Sequence, residues 1–368
     1  MPLSITSAAQ TSKADFDKLV DDFFDVFFQH HPSQGTAAGF HQYDTKLEDF
    51  SKAGIDAETA DMTKMQAKLA AFDNSKLGED DAADLQILQD TIRARFLELQ
   101  NIQMWRKDAD EYTSGATESI FQIMKRNFAP QAERLRSVIA REKQIPKVLE
   151  AARKNLNNPP RVYTEVAIEQ LPGVIGFFKE DVPNAFSEVK DAKLLAEFKK
   201  SNQAVIEALG KYQAFLEKTV LPASKGDFRI GGENYSKKLL YEDMVDIPLD
   251  RLLEIGYADL HKNQAQLKDV AAKIDPNHTP HEVLAELEKD HPPADQLLQT
   301  FRNVLGDIRS YIEAKKIITI PSTVPPIVED TPPFARALTT ASMDTPGAYE
   351  TKADEAMFNV TTADPTWK

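Results

Sequence analysis

Seven histidines are the first residues to weigh, because a chain with no cysteine has no thiolate for metal binding, nucleophilic attack or disulfide formation. His281-Glu282-Val283-Leu284-Ala285 opens like the HExxH of zinc peptidases. That motif needs two imidazoles one helical turn apart on one metal, with the Glu between them as base. Ala285 stands where the second ligand belongs, so the match fails. The wider patch of His278, His281, Glu282, Glu288 and His291 holds one Glu-x-x-His, from 288 to 291. A di-iron bundle needs two such pairs plus two more Glu residues on facing helices. Pro276, Pro280 and Pro292-Pro293 instead mark a short helix between loops. His30-His31 ends the first helical pattern, where a cation suits the helix dipole. His41 follows in a loop, and His261 is expected on an exposed helix face.

Other chemistries are no better supplied. There is no G-x-S-x-G elbow, and one Ser-x-x-Lys (Ser187, Lys190) lacks companion motifs. Neither common phosphate-binding glycine loop is present. The carboxylates read as solvated helix faces, as in Glu79-Asp80-Asp81, with no basis for selecting an acid/base pair. The residues by themselves contain no complete catalytic site.

The elements that would position any site are helical almost throughout. Phe16, Leu19, Val20, Phe23, Phe24, Phe27 and Phe28 recur at three-and-four spacing behind an N-cap at Ser12, giving a wide aromatic face that Pro32 ends. A Gly-rich polar stretch, HPSQGTAAGFHQYDTKLEDFS, follows as a loop with a short turn of helix. Helical patterns then cover about 56–72, 80–106, 116–127, 130–156, 161–182, 191–220, 236–245, 248–274, 279–289 and 294–315. Pro146 and Pro172 lie inside such patterns and predict kinks. From Ile317 the spacing changes to that of extended chain. Ile317, Ile318 and Ile320 form one run and Ala356, Met357, Phe358 and Val360 another, with Pro325-Pro326, Pro332-Pro333 and Pro346-Gly347 between them. The expected fold is mainly α, one large multi-helix domain over 13–368 forming a channel or groove, with a few short strands at about 317–361. No fixed-period repeat and no low-complexity linker divides it.

Composition narrows the function. Lys plus Arg (44) against Asp plus Glu (58) gives a net charge of −14, which disfavours binding to a phosphate backbone. No run reaches the roughly 20 apolar residues of a membrane-spanning helix, so no transmembrane segment is expected. The first twelve residues read as a disordered start. Ser7-Ala8-Ala9 has the small-x-small look of a cleavage site, so an export-signal remnant and a frayed end both stay open. A periplasmic or secreted location goes with the first, a cytoplasmic one with the second.

One connector differs from the rest. In Gly226-Asp-Phe-Arg-Ile-Gly-Gly-Glu-Asn-Tyr235, two adjacent glycines permit positive φ or close backbone approach beside an Arg and a Tyr. It is either a wall of a site or a plain connector.

Several stretches in order resemble the bacterial family catalogued as domain of unknown function 885. They are the first helix with HPSQGTAAGFHQYDTKLEDFS, then FRIGGENYSKKLLYEDM with PLDRLLEIGYADL, and finally TPGAYETKADEAMFNV. The resemblance implies kinship with the all-helical zinc oligopeptidases, whose helices line a deep channel and whose cleft is bordered by a strand just before the zinc-binding helix. It also implies a His-Glu pair followed by a second His, shortly after the segment ending at Trp367. No residue here matches that motif, so no metal ligand or catalytic Glu is carried over. No cofactor is therefore expected on this chain, and zinc is expected in an intact family member. By position, Gly231, Gly232, Tyr235, Tyr349 and Asn359 are the candidate cleft-lining residues.

Two readings follow. In one, the chain is the N-terminal scaffold of a zinc-dependent oligopeptidase-like protein, inactive alone, with peptides as substrates. In the other, it is a non-enzymatic helical protein that holds a peptide or partner. Incompleteness would further be expected to leave the strand at 356–361 with an open pairing edge and to uncover apolar helix faces near the C-terminal end.

Overall fold

A computed structural model describes residues 13–321, 324–336, 339–353 and 355–363. The expected N-terminal segment 1–12 and the last residues up to Trp367 and Lys368 lie outside them. Helix dominates, and the strands form one small sheet near the C-terminus, as the patterning predicts. The chain divides into two compact units. The first comprises Met1–Asp243 with Pro333–Ala337 and Thr345–Asp354; the second comprises Met244–Pro332, Leu338–Asp344 and Glu355–Lys368.

The first unit begins with α1 (Lys13–His30), α2 (Pro32–Ala38), α3 (Lys52–Leu69) and α4 (Glu79–Phe96). Phe16, Leu19 and Phe23 of α1 pack with Met62, Met65 and Leu69 of α3 and Leu85, Leu88 and Ile92 of α4. Each set repeats at helical three-and-four spacing, which is why these three helices bury one face each. A larger core follows from α5 (Glu111–Lys125), α6 (Gln131–Glu142), α7 (Ile145–Asn155), α8 (Arg161–Gly176), α9 (Val182–Ala185) and α10 (Ala192–Phe215). Tyr112, Ile120, Leu135, Leu171, Phe177 and Val205 are all but inaccessible in it. The short α11 (Leu221–Ala223) and then α12 (Gly232–Asp243), which packs on α4, complete the helices of this unit. Phe334, in a 3-10 turn at Pro333–Ala335, stacks edge-on against Phe121 and Phe177 at 5.5 and 5.1 Å.

The expected kinks take two forms. Pro146 does not bend one long helix; it sits in the first turn of α7, separate from α6, where its missing N–H costs nothing. Pro172 stays inside α8, which runs on into a π-helical turn at Phe177–Asp181. Further π turns occur at Leu97–Ile102 and Leu216–Val220. Two of the three lead into a helix whose first turn carries a proline, Pro183 or Pro222, and the wider π turn accommodates the carbonyl such a ring displaces.

The second unit holds α13 (Leu249–Ile274), α14 (Pro280–Leu287) and α15 (Leu297–Lys315), then β1 (Ile327–Asp330), β2 (Ala341–Asp344) and β3 (Met357–Val360). The sheet order is β1-β3-β2, with β1 parallel and β2 antiparallel to β3. This corrects two expectations. The Ile317–Ile320 run forms no strand, and the first strand starts at Ile327. The run at 356–361 does not expose a pairing edge, because β3 is the central strand and both its edges are paired.

Helix burial in this unit is thin. α13 packs on α14, with Ala271 the one buried residue of the first and Val283 of the second, and α15 has no buried residue, although Phe301 meets Phe358 of β3 at 5.7 Å. Leu253, Tyr257, Leu260, Leu267 and Ile274 recur along α13 at three, four and seven residues and are 42–59% exposed. Val304, Ile308 and Tyr311 form a second exposed stripe on α15. Such stripes are the part of an amphipathic helix that ordinarily seeks a partner.

Candidate functional site

Pro32 disfavours the helical region for the residue before it, so His31 leaves the helix at φ −123°, ψ 60° between α1 and α2. Its ring then points into the first unit. His31 Nε2 lies 2.9 Å from Glu58 Oε1 of α3, and the Arg95 guanidinium of α4 grips the same carboxylate through Nε and Nη2, the latter at 3.0 Å. Burial alone would raise the Glu58 pKa; the bonds from His31 and Arg95 overcome it and hold the carboxyl at about 2. The neighbouring His30 pairs with Asp61 at 3.1 Å. His30 stands in the last turn of α1, as the spacing predicts, and both histidines also reach carboxylates of α3.

This network borders a cavity of about 240 Å³ within the first unit. Phe50, Leu99 and Trp105 give it apolar wall, and Glu48, Glu98 and Glu111 give it carboxylates. Glu98 sits on the π turn after α4, where Gln103 closes the segment in the left-handed region at φ 57°. The Glu98 carboxylate accepts the Met104 N–H at 2.8 Å, and Glu48 accepts Ser33 N–H at 3.0 Å. Glu111 has no such satisfaction: its Oε2 is buried and has no hydrogen-bond partner among the described residues. Burial, then the charges of Asp108 and Glu98, push its pKa up to about 7, with Arg95 opposing.

A second cluster fixes the loop after α2. The His41 ring stacks on Phe128 at 3.8 Å, with Nδ1 3.1 Å from Asp44 Oδ2 and Nε2 3.0 Å from Glu350 Oε2. Beside it the fully buried Arg141 donates to Ser119 O and to Thr36 Oγ1, each at 2.6 Å, and Thr36 donates to Asp44. Gly39, at φ 103°, lies where a Cβ would come within 2.4 Å of the Glu350 N, so only glycine allows the 345–354 segment to approach.

The expected cleft residues fall in three stretches of the chain. Gly231 takes positive φ (86°) and caps α12, accepting the Tyr235 N–H at 2.9 Å, so the connector does use a glycine for its conformation. Gly232 opens that helix, and Tyr235 is 45% exposed on its first turn. Tyr349 is 61% exposed; its N–H donates to Ala38 O and its ring rests on Phe40 at 4.8 Å. Asn359 lies in β3, buried, with its amide 3.4 Å from Ser342 Oγ and its Oδ1 unpartnered among the described residues.

The HExxH-like stretch has a structural occupation. Glu282 forms a capping box with Thr279 at the start of α14, and His278 pairs with Asp275 at 2.8 Å. His291 is exposed and turns to the Pro292 carbonyl. Zinc needs three or four N, O or S donors at about 2.0–2.3 Å. Among the described residues no group of three or more His, Asp or Glu could hold a metal ion, so these side chains do not fit zinc.

The sheet offers a different kind of site. Along β1 the outward carbonyl of Val328 is taken by Arg302 of α15 at 2.9 Å. On β2, Thr340 O accepts from Thr361 N, so by alternation the main chain of Ala341 and Met343 faces away from β3. The Ala341 carbonyl accepts the Thr339 hydroxyl, while Met343 is 53% exposed at that outer edge.

These features belong to a helical protein with a small mixed sheet, and the chain belongs to a defined family. It is a member of the bacterial proteins of unknown function catalogued as domain of unknown function 885, whose pattern matches residues 32–368. Among solved structures it is similar to a protein from Shewanella oneidensis described as a "putative lipoprotein of unknown function". The two share 24% sequence identity at a TM-score of 0.72, over 96% of this chain and 66% of that one. That likeness establishes the fold, and the chain spans about two thirds of that protein's length. No curated protein matches the chain.

Proposed function

We propose that this chain supplies the helical walls of a longer, peptidase-like protein that acts on peptides, and that any zinc is held by residues outside it. The observation that carries this reading is the pair of exposed apolar stripes on α13 and α15, which have the composition of buried helix faces. Their proposed cover is the remaining part of the longer protein. Consistent with this, the matched Shewanella structure extends well beyond the aligned region. The lipoprotein description of that relative also favours the periplasmic or envelope location over the cytoplasmic one.

The second reading, peptide binding without chemistry, draws on the edge of β2. An extended peptide adding to Met343 would satisfy the outward N–H and C=O by strand addition. Met343→Pro removes the outward donor while leaving the bonds to β3 intact, as proline is tolerated on an edge strand.

The test is zinc content, peptide cleavage and peptide affinity for this chain and for one extended through the downstream reading frame. Zinc and cleavage confined to the longer form support the first reading. Peptide affinity in this chain that M343P abolishes, no cleavage in either form and a stop codon after Lys368 would replace it with the second. Stoichiometric zinc on this chain would contradict both.

A further inference from the structure

We infer that residues 345–353 form a strap held on the loop after α2 by one proton shared among His41, Asp44 and Glu350, and that the strap loosens when rising pH removes it. All of these residues belong to the first unit, and the strap lies in the chain between β2 and β3. Its seat is close. Tyr349 N–H donates to Ala38 O at 2.8 Å, and a Cβ on Gly347 would collide with the backbone of Ala37 and Ala38. At the start of the strap, Arg126 donates to Thr345 O.

The extra proton follows from the contacts of the His41 ring. Its Nδ1 lies 3.1 Å from Asp44 Oδ2 and its Nε2 lies 3.0 Å from Glu350 Oε2. An ionised carboxylate only accepts, and a neutral imidazole carries one N–H. Whichever nitrogen carries it, the other would turn a lone pair toward a carboxylate. Two such contacts need two protons, so the second comes from water and belongs to the cluster, on the ring or on Asp44. Glu350 is the acceptor: its Oε1 also takes the Thr351 and Lys352 N–H groups at 2.8 and 2.7 Å, which favours the anion. The His41 side chain is 26% exposed, so water can exchange the proton, while those of Asp44 and Glu350 are 6% and 4% exposed.

The other groups around the ring are fixed. Phe128 stacks on its face, and Arg141 of α6 stands behind Asp44 with Glu48 near it. Burial raises the Asp44 pKa, against Thr36, His41 and Arg141. Burial alone would also raise that of Glu350; the Lys352 N–H, His41 and the Thr351 N–H overcome it and lower it. The seated strap thus holds a proton that the lifted strap releases. A fall in pH favours the seated state and a rise weakens it, by up to about tenfold per pH unit.

The experiment is amide hydrogen exchange of the full chain at pH 6 and pH 9, with each rate divided by the intrinsic rate at that pH. In the wild type, protection of peptides covering 345–353 should fall at least tenfold from pH 6 to pH 9. Asp44→Asn offers an amide N–H to Nδ1 and removes the need for the extra proton, so its strap should stay protected at both pH values. D44N retains Glu142, so any loss of global stability with pH is common to both chains. His41→Gln cannot take up a proton and should leave the strap as weakly protected at pH 6 as the wild type is at pH 9. Wild-type protection that does not change with pH, or that falls equally in D44N, overturns the inference.

Discussion

The larger core of the first unit and the long helices of the second use the same amphipathic pattern and end in opposite states. Leu171 of α8, Val205 of α10 and Leu135 of α6 are fully buried, each on an apolar stripe met by neighbouring helices. On α13, Leu253 and Tyr257 form a stripe as regular and stand 59% and 54% exposed. Periodicity specifies which face of a helix wants burial; it does not supply the surface that buries it. The second unit leaves exposed an apolar helix face of the kind that the first unit buries.

Core truncation should give the largest effect. Leu171→Ala removes a side chain that is 0% exposed and should cost about 2–5 kcal/mol of unfolding free energy, read by urea denaturation. A cost under 1 kcal/mol would mean that this core is looser than its burial indicates.

Next comes a pH dependence that belongs to the first unit. Burial pushes the Glu142 carboxyl up to about 7 from the ordinary 4.5, against the bonds it accepts from Ser201 and Asn202. Between those values the folded chain keeps a proton that the unfolded chain gives up. Its contribution to stability is therefore whole below pH 4.5 and falls as pH rises toward 7, by about 3 kcal/mol at most. Glu58 acts in the opposite direction: held at about 2, it stabilises above its unfolded pKa and loses that contribution as pH falls from 4.5 to 2. Glu142→Gln should flatten the decline in Tm between pH 5 and pH 8. An unchanged slope would place the dependence elsewhere.

The smallest effect should come from the open stripe. Leu253→Ala, at 59% exposure, should change the stability of this chain by less than about 0.5 kcal/mol. A loss comparable to that of L171A would show that the stripe is already packed, and would break the comparison.

How much of this could be read from the residues alone follows the same physics. The helices were legible because their stripes repeat, as were the late strands as a region. The order β1-β3-β2 was not, since pairing joins residues such as Ile327 and Met357 that no local pattern links. The connector at Gly231 was legible because positive φ favours glycine. The cavity was missed because its acids look like surface acids in sequence. One signal was available: Glu58 interrupts the stripe Ile55, Met62, Met65 and Leu69 on α3, and a charge within an apolar stripe must have a buried partner. That partner, Arg95, lies 37 residues away and could not be named without the fold.

The most direct test of the central claim is amide hydrogen exchange on α13 and α15, measured in this chain and in the chain extended through the downstream frame. Fast exchange is expected along both helices here, against slow exchange in α10, with strong protection of both in the longer protein. Protection equal to that of α10 in this chain, or no gain in the longer one, would contradict it.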